Sequence, residues 1–144
     1  MIADNIFQES SAAPAGAVLT SNGSFARPSF QTPTSFTVGV TALTGSTDAI
    51  PVAPGVIRVA SSGVDAMTLA TPTAGAPGVG DDGKQIWVYD AGGHVHTITT
   101  AANKITPSHD TLTFNGTAGS YVHLLADNGL WLVLGSSGVT ASEV

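Results

Sequence analysis

The sequence predicts an all-β fold: a small antiparallel β-sandwich or barrel-like domain preceded by an extended N-terminal arm. Three observations predict it. Apolar residues recur with a period of two from Phe36 onward, the mark of strands that bury one face. The 17 glycines and 8 prolines punctuate those runs at intervals of roughly 8–15 residues, as in sandwiches. No segment shows an apolar helical repeat of ordinary length; residues 61–65 and 100–102 have room for a turn of helix at most.

Along the chain, residues 1–35 are expected to form the arm with a short hairpin segment, and residues 36–144 the β-domain. Phe36, Val38 and Val40 alternate with Thr37, Gly39 and Thr41, which reads as a half-buried strand. Ile50-Pro51-Val52 and Val56–Val59 are separated by Ala53-Pro54-Gly55, a turn signal. Ala66–Leu69 is a further short strand, and residues 71–83, with Pro72, Pro77 and several glycines, form a surface loop. In Lys84–Asp90, Ile86 and Val88 oppose Trp87 and Tyr89, so both faces are apolar and the strand is central. His94–Thr100 alternates again, and Thr111–Phe114 runs into Asn115-Gly116, a tight-turn pair. Tyr121–Ala126 and Leu130–Leu134 flank Asp127-Asn128-Gly129, a hairpin signal.

That last ribbon carries the main functional expectation. Leu130, Leu132 and Leu134 share one face while Trp131 and Val133 occupy the other, and neither face is polar. A buried Leu or Trp contributes roughly 1.5–3 kcal/mol, so a wet face forfeits several kcal/mol. Charged residues make up only 10% of the 144 residues, against roughly 25% in ordinary soluble domains. Further copies of the chain are therefore expected to cover the outer face, with Tyr121, Leu125, Leu130, Trp131, Leu132 and Val133 at the contact.

Composition also excludes function classes. The net charge is −6 with four cations, Arg27, Arg58, Lys84 and Lys104. Nucleic acid needs a basic stripe, and an anionic membrane surface is disfavoured likewise. No apolar run approaches the roughly 18 residues of a membrane span. Residues 1–5 lack the pattern of a secretory signal. There is no cysteine, which removes disulfides and thiolate metal sites.

His94 and His96 are the residues that a metal site would use, pointing the same way from one strand and, in a trimer, giving six imidazoles. No acidic supporting group stands near them in sequence, and partly exposed β-face histidines are commoner than ligands, so no metal is expected. His109 and His123 have no ligand-like spacing. Asp81 and Asp82 read as turn chemistry rather than an acid–base pair. No nucleophile elbow, phosphate loop, dinucleotide fingerprint or zinc-helix motif is present. No catalytic residue and no cofactor is expected.

Two stretches carry a resemblance. Ala15–Ser24, continued by Ala26, Pro28, Ser29, Phe30 and Gln31, resembles a segment recurrent in phage fibre proteins, G-Q-V-L-T-S-N-G-x-G-x-x-P-x-W-Q. It departs with Ala17 for the Gln, Phe25-Ala26 near the usual glycine and Phe30 for the Trp. Residues 56–139, through Ala66–Gly75, Asp81–Lys84, His96–Thr99, Thr113–Gly119 and Asn128–Leu134, resemble small β-domains of tailed-phage virions of the capsid-decoration and head-fibre type. The resemblance implies a non-enzymatic homotrimer on the capsid surface, assembled in the host cytoplasm and bound to the major capsid protein. The arm gains an anchoring role through Ile2, Ile6, Phe7, Val18, Leu19, Phe25 and Phe30. The alternative is a tail-fibre or baseplate component that binds a host glycan or another tail protein.

Overall fold

A computed structural model describes residues 18–20, 29–31, 38–76, 78–105 and 108–143. The chain divides into two units after Thr37. In the first, β1 (Val18–Thr20) pairs antiparallel with β2 (Ser29–Gln31), placing Leu19 opposite Phe30. Ile2, Ile6, Phe7 and Phe25 lie outside the described residues.

The second unit is all-β, with no helix among its described residues. Its strands are β3 (Val40–Leu43), β4 (Ala49–Ile50), β5 (Gly55–Val59), β6 (Ala66–Leu69), β7 (Gln85–Asp90) and β8 (Thr97–Thr99). They are followed by β9 (Thr111–Phe114), β10 (Tyr121–Asp127), β11 (Leu130–Ser137) and β12 (Val139–Ser142). Two five-stranded sheets result, ordered β11-β10-β7-β5-β3 and β12-β9-β8-β6-β4. Neither closes into a barrel.

The sheets are mixed, which corrects the expected antiparallel arrangement. From β3 to β8 the chain alternates between the sheets, so β3, β5 and β7 run parallel in one while β4, β6 and β8 run parallel in the other. Parallel neighbours need a crossover between them, and here each crossover is a strand of the opposite sheet. The remaining strands add antiparallel pairs at the growing side: β10 on β7, β11 on β10, β9 on β8 and β12 on β9. β7 is central, as its two apolar faces predict.

Alternation sets the core. Ile57, Val59, Ile86, Val88, Val122, Leu124 and Trp131 project from the first sheet, and Ile50, Met67, Leu69, Ile98, Leu112 and Phe114 from the second, into one buried cluster. Trp131 is fully buried and its Nε1–H donates to the Ala70 carbonyl at 2.9 Å. The β10–β11 turn places Asn128 and Gly129 at φ 47° and 75°, the two positive values that a two-residue hairpin loop requires. A bulge follows in this ribbon, because His123 faces Gly135 while Leu124 faces Val133, leaving Leu134 as the extra residue.

Three boundaries differ from expectation. β3 begins at Val40, and Val38 and Val40 are exposed, because they precede the sandwich interior that Leu43 enters on this edge strand. Asn115-Gly116 carries the chain from one sheet to the other rather than closing a hairpin. The chain also continues past Leu134, through Gly138 at φ 67°, into β12 of the other sheet. A Cβ on Gly138 would meet the Ser120 hydroxyl and the Asn115 Oδ1, so this crossing requires glycine.

Substituting Trp131→Ala opens a core cavity and strands the Ala70 carbonyl. The expected loss is about 3–5 kcal/mol of unfolding free energy, measured by chemical denaturation against the unaltered chain.

Candidate functional site

The two outward faces of the sandwich differ in kind. On the second sheet, Ala66, Thr97, Thr113 and Thr140 stand in one row and Thr68, Thr99, Thr111 and Ser142 in the next. These rows are hydroxyl-rich, carry no formal charge and need no further cover. On the first sheet, one row runs Val40, Val56, Trp87, His123, Gly135 and another Ala42, Arg58, Tyr89, Tyr121, Ser137. Gln85, Leu125 and Leu132 form a third row, with Leu130 and Asp127 beside the hairpin turn.

This second face is the candidate site. It is built because β7 and β10 are apolar on both sides, so satisfying the core leaves rings and leucines outside. Trp87 is 43% exposed. Its indole stacks on the His123 imidazole, with centroids 3.9 Å apart and planes 14° apart, and lies 5.8 Å from the Tyr121 ring. His123 Nε2 is 2.9 Å from Gln85 Oε1. Packing beneath these neighbours lowers the His123 pKa, by desolvation, below its ordinary 6.5.

The residues expected at a contact between copies separate across the sheet. Tyr121, Leu125, Leu130 and Leu132 belong to the outward face and remain partly exposed. Trp131 and Val133 do not. Both turn inward, Trp131 completely and Val133 partly against the core, because odd-numbered residues of β11 alternate into the sandwich before the bulge. Trp131 therefore leaves the expected contact set: its ring is needed by its own chain.

His94 and His96 are not a ligand pair on one strand. β8 starts at Thr97, and the two rings meet edge to face with centroids 5.9 Å apart. His96 is fully buried; its Nδ1 accepts the Asp65 N–H at 3.0 Å, which places the ring proton on Nε2, 3.4 Å from Asp90 Oδ1. Asp90 is also fully buried and accepts the N–H groups of Gly92, Gly93 and His94 at 2.7–3.1 Å. Asp65 accepts from Ser61 Oγ and the Asp48 N–H. Asp90, close in sequence, and Asp65, remote in sequence, thus both stand against this histidine, where they join loops. Ser61 donates to Asp65 rather than to the imidazole, so the cluster lacks the order of a nucleophile–base–acid relay. Among the described residues, no group of three or more His, Cys, Asp or Glu is arranged to hold a metal ion.

Asp81 and Asp82 act as turn ligands, as expected. Asp81 pairs with Lys84 at 2.5 Å and accepts the Thr73 N–H, and these contacts, the lysine first, hold its carboxyl below the usual 3.8. Asp82 accepts from Gly75 and from Asn128 at the hairpin turn. The loop of residues 71–83 is therefore clasped onto the β10–β11 ribbon.

The His123 shift has a defined sign. A histidine whose folded pKa is depressed contributes stability that is complete above the unfolded value of 6.5 and is lost as pH falls through the folded value. His123→Gln is expected to flatten the thermal-stability profile below pH 6.5, read from melting curves of both chains across that window.

No protein-family model matches this chain, and no curated protein matches it significantly.

Proposed function

We propose that this chain is a structural protein of a tailed-phage virion, decorating and stabilising the capsid as a homotrimer whose N-terminal arm binds the major capsid protein. The observation that carries the reading is the outward face of the first sheet: Leu125, Leu130, Leu132 and Tyr121 on the β10–β11 ribbon, extended by Leu134, which is 50% exposed. A contiguous apolar surface of this kind marks an interaction site. The chain offers little charge to oppose association, with 10% charged residues.

The mechanism is binding linkage. A trimer that engages only the assembled shell stabilises it by mass action, with no covalent step. The arm, residues 1–15, and the segment containing β1 and β2 provide the anchor; the β-domain provides the contact between copies and projects outward. The sequence resemblance to decoration and head-fibre domains supports this division.

The alternative, a tail-fibre or baseplate component reading a host glycan, gains one specific observation. Trp87 is a solvent-facing aromatic group, although it stands on the sheet and not in the loop of residues 71–83.

Co-sedimentation with purified capsids of the parent phage tests the anchor. The full chain is expected to pellet at saturating occupancy. A chain lacking residues 1–15 is expected to remain a folded trimer that stays in the supernatant. Full occupancy by the shortened chain removes the anchoring role of the arm.

A further inference from the structure

The first sheet's outward face is not uniform. Its β10–β11 half carries Leu125, Leu130 and Leu132 beside Tyr121 and His123, whereas its β5–β7 half combines an indole, a phenol, a carboxamide and a guanidinium. Trp87 lies between Val56 and His123 in its row, with Gln85 and Tyr89 two residues away on the same strand and face. Arg58 is exposed beside Tyr89. Stacking on His123 occupies one indole face, and Trp87 nonetheless keeps 43% of its surface exposed.

Arg58 is the cation of this face. No carboxylate among the described residues lies within ion-pair distance of it. The one acid on the face, Asp127, stands at the hairpin turn, three rows away along the strands. Among the described residues the Arg58 guanidinium thus stands without a carboxylate partner, on the same sheet face as exposed Trp87. Guanidinium forks match carboxylates in geometry and charge.

We infer that Trp87, Tyr89, Gln85 and Arg58 form a binding site for an acidic saccharide, in which a carboxylated pyranose ring lies against the indole and its carboxylate meets Arg58. An aromatic face receives the C–H surface of the ring, Arg58 supplies charge-assisted donors, and Gln85 and Tyr89 supply hydrogen-bonding groups for ring hydroxyls. Neutral sugars would forgo the Arg58 contact. The site does not depend on where in a particle the chain resides, and its residues lie outside the leucine half used for contact between copies.

The test is titration of the full chain with 3′-sialyllactose and, separately, with trigalacturonate, with lactose as the neutral control. Two indole N–H resonances report on it, one from exposed Trp87 and one from buried Trp131. Either acidic saccharide is expected to shift the Trp87 signal and leave that of Trp131 in place. Arg58→Gln is expected to weaken binding by about tenfold or more, and Arg58→Lys by less. Trp87→Ala is expected to abolish it; Arg58→Gln, at an exposed position, keeps the test decisive should the tryptophan variant disturb the sheet. Absence of any shift with both acidic probes at about 10 mM overturns the inference, as does equal binding of lactose or undiminished binding by Arg58→Gln. Sedimentation on the same samples separates the readings. A monomer that binds the acidic sugar removes the trimer alone, and a trimer that ignores it removes this site alone.

Discussion

A two-layer sandwich has one interior, yet this chain also sets rings and leucines on the outward face of one sheet. That mismatch is the constraint from which the rest follows. Ile86 and Val88 enter the core from β7 and Val122 and Leu124 from β10, which obliges Trp87, Tyr89, Tyr121 and Leu125 to face out. On the opposite sheet the same alternation turns Thr68, Thr97, Thr99 and Thr113 away from the core. One outward face is thereby finished by hydroxyl groups, and the other is left with rings and leucines turned away from the core.

The scarcity of charge belongs to the same design. Asp48, Asp65, Asp81, Asp82 and Asp90 accept backbone N–H groups or turn side chains at the joints between strands. A chain that winds between two sheets from β3 to β8 reverses at every strand end, and each reversal exposes unpaired amides that need an acceptor. Aspartates placed there stabilise the joints, with Asp65 and Asp90 fully buried.

Much of this was legible in the sequence. Period-two runs locate β5, β6, β7, β9, β10 and β11, and the two apolar faces of Lys84–Asp90 identify a central strand. The hairpin turn at Asn128-Gly129 and the turn roles of Asp81 and Asp82 follow from residue chemistry. Strand direction was not legible: alternation fixes which face a residue takes, but pairing depends on where the intervening strand goes, and here it goes to the other sheet. His96 shows the same limit. Asp65 arrives from another strand end, which no local spacing announces, while Asp90 opens the same connection from β7 to β8. Trp131 turns inward against expectation for a related reason, since an apolar residue on a ribbon with two greasy sides does not declare which side is the interior. The Arg58–Trp87 juxtaposition needs the parallel register of β5 on β7, which no local pattern supplies.

The most direct measurement is the molar mass of the full chain by sedimentation equilibrium across a wide concentration range. Burial of the leucine-lined ribbon between copies predicts a species of three times the 14.4 kDa chain mass, dissociating when Leu125 and Leu132 are both replaced by serine. A well-behaved 14.4 kDa particle at every concentration contradicts the account, because the outward face would then be stable in water uncovered.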